Sequence, residues 1–149
     1  MPTFVELADR LLRFEGCDLG DGVDETEITE AERVLGVRID GGYRQFLKRF
    51  GWGGVGHVEL YGLGSNVPAH LNVVDITLSE REEMGPKLRP NLVPVMNDGG
   101  GNLYCIDTNA EGEPSVVFWD HTAGTDQEPD LDADDFASWL DEQLEDLAG

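Results

Sequence analysis

Leu92-Val93-Pro94-Val95-Met96-Asn97-Asp98-Gly99-Gly100-Gly101-Asn102-Leu103-Tyr104-Cys105-Ile106 is the stretch that decides the fold. Two apolar runs, Leu92 to Met96 and Leu103 to Ile106, flank Asn97-Asp98-Gly99-Gly100-Gly101. Glycines beside Asn and Asp supply the backbone conformations a hairpin turn needs, so the stretch predicts two strands joined by a turn. Leu103, Tyr104, Cys105 and Ile106 are apolar on both alternating faces, which places their strand centrally, covered on both sides. Working forward, Asn109 to Pro114 reads as another turn and Val116 to Trp119 as another buried strand. Phe136, Trp139, Leu140, Leu144 and Leu147 then hold helical spacing behind the acidic start Asp132, Asp134 and Asp135. Carboxylates in a first turn also suit the helix dipole.

Working backward, Val55 to Tyr61 reads as a half-buried strand. Val67 to Pro90 shows no clear period, and Glu80-Arg81-Glu82-Glu83 marks a solvated connection with helical character. Nearer the start, Phe4, Leu7, Ala8, Leu11 and Leu12 predict an amphipathic helix from Pro2 to Phe14. Gly16, Gly20 and Gly22, interleaved with Asp18, Asp21 and Asp24, read as a mobile acidic loop. Asp24 and Glu27 stand in a capping-box-like relation at the head of a second helix. That helix carries Ile28, Ala31, Val34 and Leu35 on one face and stops at Gly36. Asp40 is the expected cap of a third helix, in which Tyr43, Phe46, Leu47 and Phe50 share a face and Gly51 ends the run. The expected architecture is α+β: N-terminal helices, a central antiparallel β-sheet and a closing C-terminal helix, forming one domain over residues 1–149.

At 149 residues the chain is long enough to build a core without staples, and 40% hydrophobic residues argue against global disorder. Its charge is extreme: 31 acidic and 10 basic residues give a formal net charge of -21. Nucleic acid and anionic membrane surfaces are therefore poor partners, because neutralising phosphates takes clustered Lys and Arg. Two cysteines, Cys17 and Cys105, are too few for a disulfide framework and fit a reducing compartment, although they leave room for one bridge. The longest uninterrupted aliphatic–aromatic run is Val116 to Trp119, far short of the roughly 20 residues of a membrane span. With Glu6 and Asp9 inside the first helical pattern, the expectation is a soluble, cytoplasmic protein.

Motifs for catalysis are weak. Gly51-Trp52-Gly53-Gly54-Val55-Gly56 satisfies Gly-x-Gly-x-x-Gly, but a dinucleotide loop needs a strand before it and a helix after it, and the expected order here is the reverse. Asp98 to Asn102 lacks both the bidentate acid of a calcium loop, whose place falls on Asn109, and the lysine of a phosphate loop. His57, His70 and His121 show no metal-ligand spacing. A Cys105–His121 nucleophile pair would need a reactive thiol, yet Cys105 is expected to be buried and inert. Carboxylate pairs discriminate nothing in a chain with 31 acids. The reading is a protein without catalytic residues, metal or cofactor.

Six pieces in order carry a family resemblance: Ile28-Thr29-Glu30-Ala31-Glu32 with Leu35-Gly36, Tyr43-Arg44-Gln45-Phe46-Leu47, Trp52-Gly53-Gly54, Leu60-Tyr61-Gly62-Leu63, Asp98-Gly99-Gly100-Gly101-Asn102-Leu103-Tyr104, and Val116-Val117-Phe118-Trp119-Asp120-His121. Together they resemble the SUKH superfamily from about Ile28 to His121. Ile39-Asp40 stands where that family often has Leu-Pro. The resemblance implies an α+β fold and, for most bacterial members, an immunity protein that binds and neutralises a cognate toxin, commonly a basic nuclease. Some eukaryotic relatives are instead intracellular regulators or scaffolds, which is the alternative function. No catalytic residues transfer.

Charge distribution suggests where a basic toxin would bind. From Asp126 onward there are ten acidic residues and no Lys or Arg. Basic residues gather instead at Arg33, Arg38, Arg44, Lys48 and Arg49, which gives the chain one strongly negative end. The expected partner-binding residues are Asp120, Asp126, Glu128, Asp130 and Asp132, with Glu111 and Glu113 of the neighbouring turn. A field of this kind speeds encounter with a basic protein by roughly 10 to 1,000-fold. Trp52, in its glycine turn, is read first as packing beneath the third helix; the alternative, for which it is kept among the candidate partner-binding residues, is an exposed aromatic anchor. Trp119 and Trp139 are assigned to the core. Oligomeric state is left open.

Overall fold

The computed structural model describes residues 3–109 and 112–148. Among the described residues five helices and seven strands follow in the order α1 (Phe4–Arg13), β1 (Asp18–Leu19), α2 (Glu25–Leu35), α3 (Gly41–Arg49), β2 (Gly53–Val55), β3 (Val58–Leu60), α4 (Val73–Glu82), β4 (Leu92–Asn97), β5 (Leu103–Asp107), β6 (Val116–Trp119), β7 (Asp130–Ala133) and α5 (Phe136–Ala148). A 3₁₀ turn, Ala69–Leu71, precedes α4. The architecture is α+β, as the sequence predicts.

The helix ends follow local chemistry. Thr3 and Glu6 form a reciprocal capping box at α1; Pro2, the expected start, lies outside the described residues. Asp24 accepts from the Glu27 amide at 2.9 Å, and Gly36 closes α2 in the left-handed conformation at φ 69°. Val34 departs from its expected place on the buried face of α2 and is 39% exposed.

Two antiparallel sheets stand where one was expected, ordered β1-β2-β3 and β4-β5-β6-β7. The segment read as one strand from Val55 to Tyr61 is a hairpin, folded back at Gly56 with φ 58°. The acidic loop before α2 is tied down, since Asp18 and Leu19 pair with Gly54 and Gly53, and the Val23 amide donates to Leu47 O at 3.0 Å. One backbone bond, Tyr61 N to Val95 O at 2.9 Å, links the sheets where β4 bulges. Gly62 makes this junction possible. A Cβ there would stand 1.7 Å from Gly51 O, so only glycine admits the crossing.

The main core lies between the helices and one face of the larger sheet. Leu7 and Leu11 of α1, Ile28 of α2, Tyr43, Phe46 and Leu47 of α3, and Phe136, Trp139, Leu140 and Leu144 of α5 meet Val93, Val95, Ile106 and Val116 there. The other face carries a second cluster of Leu88, Leu92, Leu103, Cys105, Val117 and Trp119. β5 is thus covered on both sides, as its unbroken apolar run requires.

The unclear stretch contains α4, capped by Asn72, which accepts from Val74 N and Asp75 N at 3.1 Å. Arg81 is no solvated marker. It is half-buried and donates to Leu35 O at 2.8 Å and Pro90 O at 2.7 Å, supplying a cation to the C-terminus of α2.

Candidate protein-docking face

β6 delivers the chain to a loop over residues 120–129, which returns as β7 and leads into α5. Side chains build this loop. The Asp120 carboxylate accepts from Thr122 N at 2.8 Å and Thr122 Oγ1 at 2.7 Å, an Asx turn that holds the acid below the usual carboxylate range. Gln127 closes the far side: its Oε1 accepts from Asp120 N at 3.0 Å, and its Nε2 donates to Asp120 O at 2.9 Å and Gly124 O at 3.1 Å. Arg89 fixes the tip by donating to Thr125 O at 3.0 Å.

The β4–β5 turn is fastened to the same loop. Asp98 accepts from the Gly100 amide at 2.7 Å, the Asn102 amide at 3.1 Å and Asn102 Nδ2 at 3.1 Å. Burial works against the Asp98 charge, but these donors and nearby His121 hold its carboxyl low. The Asn102 oxygen in turn accepts from His121 N at 3.1 Å and from His121 Nδ1 at 2.6 Å. The acidic loop is therefore a fixed surface framed by two turns.

Asp126, Glu128, Asp130 and Asp132 are exposed on this loop and on β7. None of them forms an ion pair among the described residues. The helical end differs. Arg33 pairs with Glu30, Arg38 with Asp40, Arg44 with Glu25 and Glu32, and Lys48 with Glu25 at 2.8 Å. Lys48 and Arg44 hold the Glu25 carboxyl below its ordinary value. Past Arg89 the chain has fifteen acids and no Lys or Arg. Charge is locally balanced around α2 and α3, and unbalanced on the β6–β7 face. Burial also pushes the Asp132 carboxyl upward.

Two expected site residues stand elsewhere. Glu113 Oε2 accepts from Gly42 N at 3.1 Å, so its carboxylate caps the N-terminus of α3. That is the task expected of Asp40, which occupies the cap position without a capping bond and pairs with Arg38 instead. Burial, with Asp135 and Asp40 nearby, raises the Glu113 carboxyl against the pull of the Gly42 amide. Trp52 is packed inward, as the first reading has it, and is no exposed anchor for a partner: it is 6% exposed, and its indole donates to Asn66 Oδ1 at 3.3 Å. The glycine turn folds the ring inward. Glu111 lies outside the described residues.

Catalytic alternatives gain little. Cys105 is fully buried, which pushes its thiol well up and keeps it protonated. Both cysteines are free thiols. A cavity of about 310 Å³ is lined by His57, Glu59, Tyr61, His70 and Asp98 among others. Its polar lining includes the exposed His70–Glu59 pair at 3.1 Å, and burial pushes the Tyr61 phenol up to about 12, so the phenol stays neutral. Among the described residues no group of three or more His, Cys, Asp or Glu is placed to hold a metal ion, and no helix is long and apolar enough to cross a membrane.

A residue that the sequence reading passed over belongs to this face. Leu131 lies between Asp130 and Asp132 and is 63% exposed. A family model, SUKH_5, described as SMI1-KNR4 cell-wall, matches residues 6–145.

Proposed function

The chain belongs to the SMI1-KNR4 (SUKH) family, and we propose that it acts as a cytoplasmic immunity protein, one domain that binds a basic toxin and neutralises it by stoichiometric occlusion. Domains of this family are generally non-catalytic immunity or regulatory proteins. The observation that carries the proposal is the unbalanced charge of one rigid face: Asp126 and Glu128 stand on a loop fixed by Asp120 and Gln127, and Asp130 and Asp132 on β7, with no ion-pair partners among the described residues. A surface meant only for solubility has no need of a side-chain-built loop.

The mechanism is electrostatic capture followed by steric block. The negative field steers a cationic partner to the face, and carboxylate oxygens then occupy positions where a nuclease would hold phosphates. Because the frame is already ordered, little conformational entropy is lost on binding, which favours tight association. No nucleic acid or membrane surface takes part.

Mixing the purified chain with the toxin module encoded beside it tests this. A one-to-one complex and loss of nuclease activity at equimolar ratio are expected. Absence of a complex at low salt, or full toxicity with the chain in excess, would overturn it. A complex that leaves the partner fully active would favour the regulatory alternative.

A further inference from the structure

The outer face of the larger sheet carries an unfinished apolar row. Pro94, Cys105, Val117 and Leu131 are aligned across β4, β5, β6 and β7. The first three are buried, with Cys105 at 0% and Val117 at 7%, but Leu131 is 63% exposed. β7 is the last strand of its sheet, so the row simply ends in solvent. An exposed leucine on its own is unremarkable. This one completes a buried row and sits inside the most acidic part of the surface.

Strand addition is not what the edge invites. Val116 pairs with Ala133 and Val117 with Leu131, so Asp132 is an extra, bulged residue. Bulges and charges blunt an edge against backbone pairing. They leave side chains as the means of recognition. Beside Leu131 runs a groove of about 260 Å³, lined also by Asp132, Ala133, Asp134 and Glu142. With Ser138 completing it, the lining combines apolar side chains with three carboxylates, which matches the aliphatic stem and guanidinium of an arginine.

We propose that Leu131 is the apolar anchor by which β7 docks a basic protein: the partner closes an apolar socket over Leu131 and lays an arginine in the adjoining groove. The proposal rests on the toxin-binding reading above and assigns it a central residue. Leu131 sets lifetime and specificity, while the surrounding carboxylates set encounter rate and exclude water-exposed mismatches. A second copy of this chain is the wrong occupant, since it would bring its own acids to the same edge.

The test uses the full chain and the toxin module encoded beside it, inactivated by substitution. Leu131→Ala should weaken binding by about 10 to 100-fold, mostly through faster dissociation, with the salt dependence unchanged. Leu131→Met should restore most of the affinity. Asp130→Asn with Asp132→Asn should instead slow association and flatten the salt dependence. Binding by Leu131→Ala within twofold of wild type, while charge reversal of the acids abolishes it, would overturn the anchor and leave the toxin-binding reading intact. Absence of any wild-type complex would overturn both. A dimer that Leu131→Ala converts to monomer would make a second copy the occupant and overturn the assignment. Circular dichroism checks folding, which an exposed position should preserve.

Discussion

Replacing Glu113 separates a structural carboxylate from the exposed acids of the β6–β7 face. Its Oε2 accepts the Gly42 amide at 3.1 Å, at a helix end where Asp40 makes no capping bond. Removing such a cap costs about 1 kcal/mol, within a range of roughly 0.5–2. For a chain of this size that is a fall in melting temperature of about 2–4 °C. Glu113→Gln should behave differently. It keeps an oxygen acceptor for Gly42 N and removes a charge that burial, Asp135 and Asp40 all disfavour, so its melting temperature should equal or exceed that of wild type. Gly41 provides an independent check, because a Cβ there would stand 1.6 Å from Glu113 Oε2 and the residue has φ 71°. Gly41→Ala should therefore cost more than Glu113→Ala, adding about 1–2 kcal/mol of left-handed strain to the lost cap. Thermal melts of the three variants at pH 7 decide the matter. Equal losses for Glu113→Ala and Glu113→Gln, or none for either, would refute the capping role.

Tyr43→Phe should cost about 1–2 kcal/mol, because the Tyr43 hydroxyl donates to Tyr61 O at 2.6 Å in the core and its loss strands a buried carbonyl; a change below about 0.3 kcal/mol in denaturant titration would contradict that. Gly62→Ala should lose roughly 3 kcal/mol or more by forcing apart the Gly51–Gly62 crossing, seen as a melting temperature lower by about 6–12 °C; an unchanged melt would show that the backbone yields freely. Acidifying from pH 7 toward the ordinary carboxylate range should raise the melting temperature. Burial raises Glu80, Glu113 and Asp132, so the penalty for their ionised forms is full above their folded pKa values and fades as the pH falls through them. Relief of the -21 charge acts in the same direction. Glu25, held low by Lys48 and Arg44, Glu30, held low by Arg33, Asp120, held low by Thr122, and Asp98, held low by its donors against burial, oppose this only below the ordinary range, where their stabilisation is lost. A lower melting temperature at pH 5 than at pH 7 would contradict the assignment.

Where residues near in sequence determine the structure, the sequence is readable. The β4–β5 hairpin, the Asp24 and Gly36 ends of α2 and the apolar stripe of α5 are of that kind. α4 is not, because Val73, Val74, Ile76, Thr77 and Leu78 spread around the helix, which packs between α2 and β4 instead of showing one face. β2 and β3 have three residues each, too few for a period to show. β7 hid in its own charge, since Asp-Leu-Asp-Ala before a helical stripe looks like the acidic start of that helix. The acidity of the β6–β7 face was legible by composition. The role of Glu113 was not, as its partner lies 71 residues away. Leu131 was overlooked because its significance comes from alignment with Val117 across the sheet, which no local window contains.

The central claim is that the β6–β7 face works through its charge. Association rates with the proposed basic toxin partner, measured from low to high ionic strength, test it most directly when wild type is compared with Asp126, Glu128, Asp130 and Asp132 all changed to Lys. Each reversal removes one negative charge and adds one positive, so the four take the formal net charge from -21 to -13. The account predicts a rate about 10 to 1,000-fold slower for the variant at low salt, with the two curves converging as salt screens the field. Superimposable curves at every ionic strength would contradict it.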